Sequence, residues 1–181
     1  CMLTAVVNLL NERTSYTYNR FRSRVTEMNP LGFVTTYEYD NMNRQTGVQN
    51  ALGNRSTVIY SGNRKVADMD ALGNRTTYNY DSGNRLESVM DPRNNPWTNA
   101  YDARDLVAQM DPLGNRSTSV FDAIGRRYAG ISPLGFRATS IFDAAGQLEA
   151  TIDPMGFRTT FGYDEAGNRN LVQDANGKLT T

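Results

Sequence analysis

The sequence predicts an all-β fold of tandem hairpins laid side by side as one continuous antiparallel, coiling sheet. Three observations predict it: a unit of 21 residues that recurs along the chain, two turn signals in every unit, and a period of two between the turns. The unit opens on Asp-Pro-x-Gly, continues through an Arg and a Thr to an aromatic-Asp pair, turns again at a Gly, and ends in a short strand-like run. Successive repeats run 8–28, 29–49, 50–69, 70–90, 91–110, 111–131, 132–152 and 153–173, with a partial repeat 174–181, so residues 1–181 read as a single array. Repeats 50–69 and 91–110 are one residue short, each in its second turn. An array grows by units and not around one core, so the length does not translate into a count of globular domains.

The first turn of each repeat is a carboxylate or amide, a preset φ and a glycine. In Asp111-Pro112-Leu113-Gly114 and Asp153-Pro154-Met155-Gly156 the order matches a type I turn, which takes Asp first, Pro second and Gly fourth. The second turn, as in Asp143-Ala144-Ala145-Gly146, again pairs an Asp with a Gly that can take φ > 0, which suits a short hairpin loop with a bulge.

Between the turns, alternate residues are aromatic. Tyr37 and Tyr39, Tyr78 and Tyr80, Phe161 and Tyr163, together with Phe142, fall on one face as an aromatic ladder, with polar residues on the other. The returning strands alternate too, as in Leu148, Ala150 and Ile152. A helix is excluded, because glycine or proline about every ten residues would end it within three turns. One Arg per repeat (Arg55, Arg75, Arg116, Arg137, Arg158) occupies the face opposite the rings, with Glu87 or Glu149 placed to sit between them. These read as a solvated or partner-facing ridge.

Composition narrows the function. At 39% hydrophobic the chain falls below the usual globular content, as expected if it buries one face of a sheet. Nineteen basic and nineteen acidic residues leave no net positive field to gather nucleic acid or an anionic membrane. No apolar run is long enough for a membrane helix, so membrane insertion is not expected. Cys1, the single cysteine, forbids an intrachain disulfide. A start on Cys suggests a processed or excised segment, any export signal lying outside it; a mature lipoprotein also begins this way.

Catalysis is not expected. With no histidine, a Ser-His-Asp triad, a Cys-His dyad and a His-ligated zinc site are all excluded. The acidic turns Asp164–Asn168 and Asp174–Gly177 lack the spacing and terminal bidentate Glu of a calcium loop and read as plain turns. No cofactor or metal is implied. The Tyr and Phe ladder, with Asn and Arg nearby, has the makings of a sugar platform or of a stacking surface for single strands, the latter disfavoured by neutral charge. Trp97, in Asn95-Pro96-Trp97, reads as a packing substitution that interrupts a turn.

The recurring Tyr39-Asp40, Tyr80-Asp81, Tyr101-Asp102 and Tyr163-Asp164, with Asp-Pro-x-Gly opening the repeats, closely resemble the YD-repeat, or RHS-repeat, family. That family includes shells of bacterial toxin complexes, polymorphic toxins and teneurin ectodomains, and the resemblance implies a β-sheet strip that spirals into a hollow shell. Some bacterial members cleave themselves at an aspartyl motif built on Asp-Pro-x-Gly. Here Asp111 and Asp153 share that tetrapeptide with nearly every turn, and they read as turn carboxylates.

The expected function is a non-catalytic scaffold: a wall segment of a secreted or cell-surface protein, in which an enclosed toxin is the implied cargo. A self-assembling filament or tube and a carbohydrate-binding adhesin are the alternatives. Expected partners are further repeats of the same or identical chains, an enclosed toxin or a surface glycan.

Overall fold

The computed structural model describes residues 2–181, so Cys1 and the lipoprotein reading attached to it lie outside the described residues. The described residues form eighteen strands and no helix. They divide into two compact units, Cys1–Asn95 and Pro96–Thr181.

In the N-terminal unit the strands are β1 (Ala5–Val7), β2 (Arg13–Tyr18), β3 (Arg24–Met28), β4 (Val34–Tyr39), β5 (Gln45–Gln49), β6 (Arg55–Ser61), β7 (Arg64–Met69), β8 (Arg75–Tyr80) and β9 (Leu86–Met90). Each pairs antiparallel with the next. The C-terminal unit repeats the plan with β10 (Pro96–Tyr101), β11 (Leu106–Met110), β12 (Arg116–Phe121), β13 (Arg127–Ile131), β14 (Arg137–Phe142), β15 (Leu148–Ile152), β16 (Arg158–Tyr163), β17 (Arg169–Gln173) and β18 (Leu179–Thr180). Within each unit the sheet is an unbroken meander, the simplest topology that short turns allow.

Both turns of a repeat have the same build. Asp111 N–H donates to Asn115 O at 3.1 Å and Gly114 N–H to Asp111 O at 3.0 Å, while Gly114 takes φ 84°. This is a type I turn closed by a residue in the left-handed region, a hairpin loop whose twist matches that of the strands. Asp143 to Gln147 close in the same way, so the bulged loop expected for the second turn serves at the first as well. The short repeat 50–69 absorbs its missing residue by pairing Ser61 with Arg64 directly around Gly62-Asn63.

Trp97 departs from the sequence reading. The turn runs Asp91 to Asn95, with Asn94 at φ 65°, and Trp97 lies inside β10, more than half exposed. It is neither in a turn nor a packing residue, because Asn94 can adopt the left-handed conformation and closes the loop before Pro96.

The core lies on the face opposite the rings. Ala67, Ala108, Ala129 and Ala150 are the buried hydrophobic residues, and no large side chain is fully buried. Each alanine sits between a position-equivalent Thr on one neighbouring strand and another residue on the other: Ala150, for example, pairs with Ile141 and Thr160. The rings stand up from the sheet and stay half-exposed because a single layer has no second sheet to cover them. The small residues are hidden by the longer side chains around them, as Glu38 lies over Gly47.

The register slips steadily. In the N-terminal unit Thr36 pairs with Gln49, and Gln49 with Arg55, although the repeat-equivalent of Thr36 is Thr57. In the C-terminal unit Thr118 pairs with Ile131, and Ile131 with Arg137, again two residues short of the equivalent Thr139. A slip of two residues for every two strands is about 6.8 Å along the strands for about 9.6 Å across them, a strand tilt of about 35°. A tilt of that size is the one that closed barrels use.

Candidate functional site

The Tyr-Asp pair can join a repeat to its neighbours on both sides, as Tyr39-Asp40 does for repeat 29–49. Its tyrosine reaches backward: Tyr39 Oη donates to Arg24 O at 2.8 Å, Tyr80 Oη to Lys65 O at 2.8 Å and Tyr163 Oη to Leu148 O at 2.9 Å. In every case the acceptor is the carbonyl fifteen residues earlier, on the returning strand of the preceding repeat. Tyr18 makes the same bond to Leu3 O at 2.6 Å. Phenylalanine at this position, as in Phe142, keeps the ring and forgoes the bond. Phe142→Tyr therefore places a hydroxyl within reach of Arg127 O and is expected to raise stability by about 1 kcal/mol, read as a shift in the urea midpoint at unchanged slope. No shift would mean that the carbonyl is not accessible there.

The aspartate reaches forward. Asp122 Oδ1 accepts the backbone N–H of Ile124 at 3.1 Å and of Arg126 at 2.9 Å, while Oδ2 accepts Arg126 Nε at 2.7 Å. The guanidinium so held lies 4.6 Å from the centroid of Phe142 in the next repeat. Asp40 holds Arg44 in the same way, and Arg44 lies 4.2 Å from the centroid of Tyr60. A cation on a ring face is favourable by about 0.5–1 kcal/mol at an exposed site, and the array repeats the contact.

The turn residues singled out in the sequence serve the backbone. Asp111 Oδ1 accepts Leu113 N–H and Asn115 N–H at 2.9 Å each, and Asp153 Oδ1 accepts Met155 N–H and Phe157 N–H at 2.9 Å each. Gly156 N–H donates to Asp153 O at 3.0 Å, and Pro112 and Pro154 fill the second turn position. Asp164 spends its oxygens likewise on Ala166, Asn168 and the Asn168 side chain.

Such bonds hold Asp40, Asp81, Asp111, Asp122 and Asp164 ionised. The Asn115 amide beside Asp111 and the Arg126 guanidinium beside Asp122 lower both pKa values, and the Arg44 and Arg85 backbone N–H groups lead the same effect at Asp40 and Asp81. A folded pKa below the unfolded one gives stability that is present above the unfolded value and is lost as pH falls through the folded value. The melting temperature is therefore expected to stay level between about pH 8 and pH 5 and to fall below about pH 4, where unfolded carboxylates begin to take up protons. A melting temperature that stays level through that acid range would contradict the assignment.

The aromatic ladder is built differently from a stack of rings. Tyr37 faces Val48, Tyr78 faces Val89 and Phe161 faces Val172, so rings pair with β-branched neighbours. Cations cover several of them: Arg24 is 4.6 Å from the Tyr37 centroid and Lys65 is 4.7 Å from that of Tyr78. Tyr39, Tyr80, Phe142 and Tyr163 form the second row beside the turn, each next to a register shift that leaves one residue of the returning strand unpaired. The arginine ridge finds its carboxylates unevenly. Arg158 reaches Glu149 at 3.3 Å and Arg55 bonds Glu38, while Arg75 and Arg137 lie against Thr77 and Thr139 hydroxyls. The contacts to Glu38 and to the tyrosine-row carbonyls escaped sequence reasoning; the constant fifteen-residue separation was visible in the repeat, but the register that gives it meaning was not.

The family model described as RHS Repeat matches residues 22–55 and 142–179. Among solved structures, a crystal structure of TcdB2-TccC3-TEV is similar at a TM-score of 0.52 and 13% identity, over 94% of this chain and 12% of that one. The Photorhabdus luminescens Tc holotoxin pore is similar at a TM-score of 0.54 and 14% identity, over 90% of this chain and 9% of that one. At such identities the likeness is one of fold, and the chain spans about a tenth of either structure's length. No curated protein matches it.

Proposed function

We propose that the chain is an RHS-repeat protein, as the two stretches matched by the RHS Repeat model support, and that it is a non-catalytic segment of the wall of a secreted or cell-surface shell, with its role carried by the sheet itself. The steady two-residue slip carries this reading most strongly, because it tilts the strands as a curved, closing wall requires. The contacts of the Tyr-Asp position support it by tying neighbouring repeats together within each unit, so that load on one hairpin passes to the next.

A wall also needs lateral neighbours. The third residue of the first turn is Leu31, Leu52 and Leu72 in one unit and Leu113, Leu134 and Met155 in the other, each at least 80% exposed. Within each unit they recur once per repeat along one edge of the sheet, about 10 Å apart. Such a row of apolar side chains fits the turn edge of another course of the same repeats, whether from a longer chain or from a second copy. The same row supports the second reading, a filament of stacked copies.

Electron microscopy of the purified chain, alone and as a tandem fusion of several copies, separates the two. Hollow closed particles in the longer form support the wall, and density inside them would support an enclosed polypeptide such as a toxin. Continuous tubes formed by the isolated chain would support the filament, and isolated strips in both preparations would overturn both readings.

A further inference from the structure

Two repeats of the N-terminal unit carry a cation at the start of the returning strand, and both cations are boxed in. Arg24 meets Glu27, three residues on, at 2.9 Å, and lies 4.6 Å from the centroid of Tyr37 and 5.7 Å from that of Tyr16. Lys65 meets Asp68, again three residues on, at 2.5 Å, and lies 4.7 Å from the centroid of Tyr78. The phenols close both boxes: Tyr37 Oη donates to Glu27 at 3.2 Å and Tyr78 Oη to Asp68 at 2.7 Å. Each cation thus has a carboxylate and a ring.

Arg127 holds the same place on β13 and has neither. The residue three positions on is Gly130, and the residues in the places of Tyr16 and Tyr37 are Ser119 and Ser140. Among the described residues its guanidinium has no ion pair, side-chain hydrogen bond or ring contact. It reaches along the strand and lies over Gly130, where the Cβ of a larger residue would stand. The missing side chains leave a concavity of about 940 Å³, which Arg127 lines together with Leu106, Ile131, Phe136, Ala138, Pro154 and Met155. Phe136 and Met155 are both more than half exposed, so the apolar wall is open to solvent at that end. Asp153, the one carboxylate of the lining, is committed to the Met155 and Phe157 N–H groups of its own turn.

We infer that this concavity is a binding site for a small apolar carboxylate, a molecule with one carboxylate head and a hydrocarbon body. The head supplies to Arg127 what Glu27 and Asp68 supply to Arg24 and Lys65, and its two oxygens match the fork of a guanidinium. The body fills the space that rings fill elsewhere and covers the apolar wall from Leu106 to Met155. Apolar walls with a few placed polar groups are the usual make-up of a small-molecule site. Other occupants leave something unmet. A neutral hydrocarbon leaves the guanidinium without a partner, an apolar cation meets it as a like charge, and a bare inorganic anion leaves the wall in water. The site does not depend on whether the repeats close a wall.

The repeats themselves supply the test variant. Gly130→Asp puts a carboxylate where Lys65 has Asp68, and its Cβ meets only the flexible tip of Arg127, so the fold is expected to accept it. Decanoate, naphthoate and, as the control of opposite charge, decyltrimethylammonium are titrated into the full chain and followed by calorimetry. Saturable binding of at least one carboxylate at or below about millimolar concentration is the expected result, with the cation at least about tenfold weaker. Arg127→Gln should weaken the carboxylate by about fivefold and bring it level with the cation. Gly130→Asp should weaken it by about tenfold while the urea midpoint holds. The inference is overturned if neither carboxylate binds, if decyltrimethylammonium binds as well as decanoate, or if Arg127→Gln leaves the preference for the carboxylate intact. Unchanged binding in a folded Gly130→Asp would overturn it equally, and Arg127→Gln decides alone if that variant does not fold.

Discussion

Ala150→Leu is expected to destabilise the protein by about 2–3 kcal/mol, the upper part of the range for forcing added methylenes into a filled site. Ala150 is fully buried, with 0% of its surface exposed, and its cross-strand partners are Ile141 and Thr160. There is no second layer into which a larger side chain could be absorbed, so leucine must displace the residues that cover the site or push the strands apart. Either response disturbs the ladder on both sides of β15 and, through it, the two adjoining hairpins. The neighbouring residue provides the control. Thr151 points to the opposite, half-exposed face, and Thr151→Val is expected to change stability by no more than about 0.5 kcal/mol. Urea unfolding of both variants checks the pair: the midpoint should fall for Ala150→Leu and hold for Thr151→Val. Equal effects would mean that the buried face has been assigned to the wrong side of the sheet.

That assignment was only half legible in the sequence. The turns were readable because Asp, Pro and Gly at fixed spacing leave few conformations, and the structure closes Asp111 to Asn115 and Asp153 to Phe157 at the places that spacing marks. The period of two separated Tyr37 and Tyr39 from Thr36 and Glu38, and the strands keep those faces. Burial did not follow from the period. Hydrophobicity favours the rings as the hidden side, yet in a single layer the side chains that disappear are the shortest, Ala67, Ala108, Ala129 and Ala150. The slip between repeats was illegible for a different reason: it depends on pairing across two turns and a bulge, none of which leaves a mark at any single residue.

The same turn, occupied by different residues, gives a second large effect and its converse. Gly114 holds φ 84°, and Gly114→Val is expected to cost about 2 kcal/mol, because a Cβ clashes with the following carbonyl in the left-handed region and a branched one does so most. No neighbouring atom lies within 4 Å of where that Cβ would be, so the loss comes from the backbone and not from crowding. Arg22 stands at the equivalent place in the second turn of repeat 8–28, with φ 67° and its N–H donating to Asn19 O at 3.0 Å. There the strain is already present. Arg22→Gly is expected to relieve about 1–2 kcal/mol of it and to return about 0.5–1 kcal/mol through the greater freedom of glycine in the unfolded chain, a net gain of about 0.5 kcal/mol. Asn43 and Asn84, at φ 61° and 66°, occupy the intermediate case, since asparagine tolerates this region better than arginine. Asn43→Gly should accordingly gain less than Arg22→Gly. Chemical denaturation of the three variants orders them, and a loss of stability in Arg22→Gly would show that its side chain contributes more than its backbone costs.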